Sequence, residues 1–177
     1  FSKPKGSLAL KIGDNFSMST KNINWRDIYL ARQQIEPFIR RTHLVESPWL
    51  SESFGSQVSL KLENYQLTGS FKIRGAINKT LSLSKKERER GIITVSSGNH
   101  GRAVSYIAHS LGVKAVVCLP EPVPENKREA IRALGAETIV KGKNADEAMA
   151  FAERLRDERG LTMVHPFDDP FIIAGQG

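Results

Sequence analysis

The sequence predicts an α/β fold built on a parallel sheet, and three observations carry that expectation. From Gly91 onward, short apolar runs rich in Ile and Val, such as Ile92-Ile93-Thr94-Val95 and Ala115-Val116-Val117-Cys118-Leu119, alternate with helical patterns. Strict alternation of this kind implies βαβ units, whose crossovers run the strands parallel. Gly112, Gly135 and Gly160 each follow a helical pattern, where the chain must turn out of a helix. The segments joining these elements are short, as compact α/β units require.

Taken in order, the first credible element is a helix entered at Asn24, with Asp27 at the capping-box position and Ile28, Ala31 and Ile35 on one face. Pro37 ends or kinks it, because proline lacks the N–H that a helix interior needs. His43 reads as a loop residue. Ser47-Pro48-Trp49-Leu50 and Glu52-Ser53-Phe54-Gly55 read as turn, short helix and stop. Val58-Ser59-Leu60-Lys61-Leu62 alternates with period two, the pattern of a half-buried strand. Phe71, Ala76, Ile77 and Leu81 then recur at roughly helical spacing, with Ser70 where an N-cap would stand. Lys85-Lys86-Glu87-Arg88-Glu89-Arg90 alternates in sign and reads as a solvated helix face. Beyond it the pattern predicts strands over 92–95, 115–119, 137–140 and 161–164, and helices over 100–111, 125–134 and 145–159. The block from Gly91 to Val164 is expected to fold as a domain of its own.

With 177 residues and 40% hydrophobic content, the chain can bury one respectable core or two small ones. No apolar run approaches a membrane span. The net charge of +7 is spread along the chain rather than gathered in a stripe, which argues against a nucleic-acid surface. The single cysteine, Cys118, excludes an internal disulfide framework, fits a reducing, cytoplasmic compartment and reads as core packing.

Two stretches invite a chemical reading. In Thr68-Gly69-Ser70-Phe71-Lys72-Ile73-Arg74-Gly75-Ala76, Lys72 falls in a first helical turn, where the positive end of the dipole pushes its amine toward the neutral form. A neutral amine is a nucleophile toward carbonyl carbon. On these residues alone, a lysine reaching to solvent is an equal reading. In Thr94-Val95-Ser96-Ser97-Gly98-Asn99-His100-Gly101-Arg102, a strand feeds a small-residue loop and then a helix start, which gathers N–H groups into a potential anion site. An ordinary tight βα turn reads the same way. His165, Asp168 and Asp169 lack the further ligands and spacing of a zinc site, so no metal is expected.

Together these stretches resemble the fold-type II pyridoxal-phosphate enzymes, in the branch of the threonine/serine dehydratases and serine racemases. The resemblance rests on Ser70-Phe71-Lys72-Ile73-Arg74-Gly75-Ala76 preceded by Leu60-Lys61-Leu62-Glu63-Asn64, on Ser96-Ser97-Gly98-Asn99-His100-Gly101, on His165-Pro166-Phe167-Asp168-Asp169-Pro170 and on Ile173-Ala174-Gly175-Gln176-Gly177. His43 departs from the proline usual in the family at that place. The resemblance implies a tryptophan-synthase-β-like architecture, with a complete small parallel α/β domain over 91–165 and an incomplete large domain made of 18–90 and a return at 166–177. It implies pyridoxal 5'-phosphate held covalently by Lys72, which also moves the Cα proton, with Phe71 beside the ring and Asn99 bonded to its 3′-oxygen. Ser97, Gly98, Asn99 and His100 would grip the substrate carboxylate, and Ser97 would be a second catalytic base where the activity is racemisation. For His100 a plain backbone-shaping role competes with that reading.

The implied activity is β-elimination from threonine or serine to a 2-oxo acid and ammonia, with serine racemase or a hydroxyectoine-pathway dehydratase as alternatives. The implied partner is a small amino acid, with no nucleic acid or membrane, in a homo-oligomer of the parent protein. A nucleotide-binding α/β domain is the rival from another class, but the first βα loop holds no G-x-G-x-x-G and the Lys72 stretch is no P-loop. Residues 1–17 are expected to be a non-native or disordered leader before a start at Met18. The cofactor's glycine-rich phosphate loop is expected beyond Gly177, which would make this chain alone an inactive fragment.

Overall fold

Asn24 opens helix α1 (Trp25–Ile35) with the anticipated reciprocal box: its side chain accepts from Arg26 N at 2.9 Å, and Asp27 Oδ2 accepts from Asn24 N at 2.9 Å. Pro37 sits in the short 3-10 turn Glu36–Phe38 that ends it. These features belong to a computed structural model that describes residues 23–177; the expected leader over 1–17 and the start at Met18 lie outside the described residues.

A two-stranded antiparallel ribbon follows, β1 (Leu44–Glu46) against β2 (Ser59–Lys61), enclosing helix α2 (Pro48–Phe54) between Ser47 as cap and Gly55 in the left-handed conformation. The half-buried strand read over 58–62 is corrected here. Leu44 is 66% and Leu60 40% exposed, because among the described residues the ribbon pairs only with itself and no layer covers it.

Helix α3 (Lys72–Ser82) and the charged α4 (Lys85–Arg90), entered through a capping box on Ser84, lead to the sheet. Its strands β3 (Ile92–Val95), β4 (Ala115–Leu119), β5 (Glu137–Val140) and β6 (Thr162–Met163) are all parallel, in the order β5-β4-β3-β6. The crossovers are helices α5 (Asn99–Leu111), α6 (Glu125–Arg132) and α7 (Ala145–Arg159). Alternate strand residues face opposite layers. Ile92, Val117 and Leu119 join the cluster of α3, α5 and α6, while Ile93, Val95, Val116 and Cys118 meet Ala148, Ala152 and Leu155 of α7. Cys118 is fully buried, and burial foremost pushes its thiol up to about 11, so it is a packing residue.

Two boundaries move inward from the sequence expectation. The helix read to residue 134 ends at Arg132, ahead of the left-handed Gly135. The strand read over 161–164 pairs only at Thr162 and Met163, because the Leu161 N–H bonds instead to the Arg156 carbonyl at the end of α7.

The chain closes with helix α8 (Pro170–Gln176), which lies against α3 and α1. The α3–α8 crossing is set by two glycines in contact. A Cβ on Gly175 would stand 2.8 Å from the Arg74 carbonyl and from Gly75 Cα, so only bare backbone lets the helices approach this far. One cluster therefore runs from Ile172 of α8 through Ile73 and Ile77 of α3 to Val104 and Ile107 of α5, continuous across the boundary at residue 91.

Candidate active site

From β3 the chain moves outward through β4 to β5, then returns along α7 to place β6 on the other side of β3. Where strand order reverses in this way, α/β sheets bind ligands in the crevice formed by the loops at the carboxyl ends of the two strands flanking the switch. Those strands are β3 and β6, whose following helices α5 and α8 both reach the cluster of α3. Here those loops are Ser96-Ser97-Gly98 after β3 and Val164-His165-Pro166 after β6.

The Val164 carbonyl holds the crevice together. It accepts from Thr94 Oγ1 at 2.7 Å and pairs with His100 Nε2 at 3.0 Å, joining β3, the first turn of α5 and the end of β6. His100 is 3% exposed, and burial foremost, with the charges of Lys72 and His165 adding to it, pushes its pKa down to about 4. The ring is therefore neutral near pH 7 and donates from Nε2, leaving a buried Nδ1 with no partner. Its Nε2 is committed to Val164, and its backbone N–H lies in the uncapped first turn of α5.

Ser97 is half-buried, Gly98 and Asn99 are exposed, and among the described residues neither the Ser97 nor the Asn99 side chain makes a hydrogen bond. No side chain caps α5, so its first-turn N–H groups stand open beside these residues.

Lys72 is the first residue of α3. Its Nζ donates to the Pro166 carbonyl at 2.7 Å and to Gln176 Oε1 at 3.2 Å, which places the amine at the β6 side of the crevice. The amine also lies 5.3 Å from the centroid of the Phe71 ring, and Phe71 is 44% exposed rather than part of the apolar face read for it. Burial lowers the Lys72 pKa; the direction matches the sequence expectation, but desolvation rather than the helix dipole is the cause. Ser70 is not the N-cap. Phe71 is already helical, and among the described residues the buried hydroxyls of Ser70 and Thr68 have no partner.

The other cations of α3 are treated differently. Arg74 makes a bidentate pair with Glu63 at 2.7 and 2.8 Å, and Glu63 also accepts from Thr42 Oγ1. Burial works to raise the Glu63 pKa, but the Arg74 and Thr42 bonds bring it below the usual carboxylate range. Lys79 pairs with Asp169 at 2.6 Å, and Asp169 also caps α8 through Phe171 N and Ile172 N. Lys72, by contrast, meets only neutral carbonyl oxygens, and among the described residues it has no ion-pair partner. A half-buried cation with no counter-charge favours its neutral form.

The segment that receives the amine is itself braced. His165 Nδ1 accepts from Asp168 N at 2.7 Å and Phe167 N at 3.3 Å, and Asn78 Nδ2 donates to the Phe171 carbonyl at 2.7 Å. Sequence reasoning missed Gln176, the Glu63–Arg74 pair and the Lys79–Asp169 pair. These join residues up to 104 positions apart, and no periodicity signals such contacts. Among the described residues, no group of three or more His, Cys, Asp or Glu could hold a metal ion, and no helix is long and apolar enough to cross a membrane.

An amine biased toward its neutral form, open helix N–H groups and unpartnered buried hydroxyls form a donor set that suits a carbonyl compound bearing an anionic group. Comparison with known proteins points the same way. Residues 35–177 match the family described as pyridoxal-phosphate dependent enzyme. A relative in Sinorhizobium fredii is 52% identical over 155 residues, covering 88% of this chain and 47% of that protein. The catabolic L-threonine dehydratase of Staphylococcus aureus is 49% identical over 152 residues, covering 85% of this chain and 44% of that one. Among solved structures, serine racemase from Dictyostelium discoideum superimposes with a TM-score of 0.81 at 36% identity, covering 89% of this chain and 50% of that one. The threonine deaminase of T.th. does so with a TM-score of 0.76 at 43% identity, covering 86% and 48%. The chain thus spans about half the length of the curated relatives it matches.

Proposed function

The chain belongs to the pyridoxal-phosphate dependent enzymes, and from that premise we propose that the protein carrying it deaminates threonine or serine, eliminating the β-hydroxyl to give a 2-oxo acid and ammonia. The observation that carries the reading is the Lys72 amine, half-buried at the strand-order reversal and facing only neutral acceptors while its α3 neighbours Arg74 and Lys79 are ion-paired. The dehydratase name of the S. aureus relative and the deaminase name of the T.th. structure support the choice of reaction.

In this reading Lys72 would hold the cofactor covalently, and Phe71 and Asn99 would help to bind it. When bound, pyridoxal phosphate supplies an electron sink for the charge left at Cα. The protein's own residues do the rest. The start of α5, through the Ser97, Gly98, Asn99 and His100 segment, receives the substrate carboxylate. That fixes Cα within reach of the Lys72 amine, which takes its proton as general base. The Val164 carbonyl, through Thr94 and His100, keeps the carboxylate-binding turn at a set distance from the strand that leads to Pro166 and thus to Lys72.

We also propose the division into a large-domain part over 18–90, a small domain over 91–165 and a return at 166–177, and the use of Ser97 as a second base should the reaction be racemisation. The serine racemase likeness favours that second activity. One experiment tests both readings. The purified protein, incubated with pyridoxal phosphate, is reduced with borohydride, digested and mapped, and release of 2-oxo acid and of D-serine is followed from L-threonine and L-serine. A pyridoxyl mass on Lys72 with 2-oxo acid release is expected. Label on another lysine overturns the site, and D-serine without 2-oxo acid overturns the reaction.

A further inference from the structure

Gln176 stands outside every role assigned so far, yet among the described residues it is the one side chain that hydrogen-bonds the Lys72 amine. It occupies the last turn of α8, beside the crossing of Gly75 and Gly175. A Cβ on Gly75 would lie 2.5 Å from Gln176 Nε2 and 3.0 Å from its Cγ, so the side chain rests against a helix surface that a larger residue would deny it. Its carbonyl oxygen faces the amine, and among the described residues its buried Nε2 has no partner. A buried donor with no acceptor is costly, and here the cost goes with presenting oxygen to Lys72.

We infer that Gln176 is a positioning residue, which together with the Pro166 carbonyl forms a two-acceptor rest site for the free Lys72 amine. A neutral amine carries two N–H bonds and one lone pair. With Pro166 O at 2.7 Å and Gln176 Oε1 at 3.2 Å taking the two hydrogens, the lone pair has a single remaining direction. The amine is thereby aimed before it attacks a carbonyl or removes a proton, rather than rotating freely about its Cε–Nζ bond. The titratable group near it is His100 of α5, which also feels His165; among the described residues no carboxylate pairs with the amine. Desolvation of Lys72 acts in the same direction, toward the neutral amine that the rest site requires.

The inference rests on the Lys72 reading, but its test does not depend on turnover. In cofactor-free protein, the pH dependence of Lys72 acetylation by trace acetic anhydride, read by peptide mass, gives the amine's titration midpoint. Gln176→Glu keeps an acceptor but adds a charge, and should raise that midpoint by about one pH unit. Gln176→Met removes the acceptor at similar volume. It should lower kcat about tenfold with KM nearly unchanged, since orientation rather than binding is lost, while Gln176→Glu recovers activity above its raised midpoint.

For the unaltered protein, 13C-labelled glutamine provides a check independent of either variant's folding. The Gln176 Cδ resonance should titrate with the Lys72 midpoint. A flat Cδ resonance, or a Lys72 midpoint unmoved in folded Gln176→Glu, overturns the rest site even when borohydride labels Lys72. Absence of label on Lys72 with the midpoint shift present would overturn the proposed function instead.

Discussion

The starts of the helices fall into two groups. Helices α1, α2, α4, α7 and α8 open on Asn24, Ser47, Ser84, Asn144 and Asp169, whose side chains accept first-turn N–H groups. Helices α3 and α5 open on Phe71 and Gly98 with no such bond. Helix α6 also lacks a side-chain cap, but it follows Pro124 on the periphery and its first turn is exposed. The two uncapped starts at the crevice differ from it in what surrounds them: Lys72 without a counter-charge in one, open N–H groups beside Ser97 and Asn99 in the other. Capped ends are locally satisfied and serve stability. Uncapped ends at a crevice keep unsatisfied groups for a ligand, and a protein breaks local rules of this kind where it does chemistry.

The largest expected effect comes from emptying one uncapped start. Lys72→Ala should lower kcat for 2-oxo acid release by roughly a thousandfold and remove the borohydride-fixed label, because both the base and the attachment point are lost. An intact label would break the comparison at α3.

At the other start, His100 ties the open turn to β6, and its folded pKa of about 4 lies below the 6.5 of an unperturbed histidine. An unfolded chain takes up the proton first, so the stability contribution is whole above pH 6.5 and is lost as pH falls toward 4. The full loss would be about 3 kcal/mol, readable as a falling denaturation midpoint between pH 6.5 and 4.5. His100→Gln, with a neutral donor, should flatten that slope.

Supplying the missing cap would sharpen the contrast. Gly98 has a negative φ, and a Cβ placed on it would find nothing within 4 Å, so Gly98→Asp is sterically free. The new carboxylate should cap α5, raise the melting temperature slightly and raise KM roughly tenfold by occupying the place of the substrate's anion. The smallest effect belongs to a capped start. Ser84→Ala should cost about 1 kcal/mol in denaturant unfolding and leave kcat unchanged.

How much of this was legible in the sequence depended on the range of the interactions. The box on Asn24, the charged helix face over 85–90 and the strands 92–95, 115–119 and 137–140 rest on contacts within a few residues or on alternation, and the structure has them as read. Val58–Leu62 carried the right alternation, but among the described residues no layer covers it, since a pattern states which face is apolar and not what covers it. Ser70 looked like a cap from composition, while its hydroxyl is turned inward and Phe71 has already entered the helix. Lys72, Ser97 and Asn99 were singled out by resemblance as much as by physics. Gln176 was not, because its contact to Lys72 exists only once α8 has crossed α3 at the two glycines.

The strand order has a consequence for how the protein is made. As the chain leaves the ribosome, β3, β4 and β5 emerge in the order in which they pair, each joined to the next by one helix. Strand β6 emerges only after the fifteen residues of α7, and until then the β3 edge on that side has no neighbour. An unpaired parallel edge is open to other nascent chains. The crevice that receives Lys72 is therefore the last part of the sheet to exist, and slow synthesis through α7 would lengthen the interval in which two growing chains can join at β3 instead.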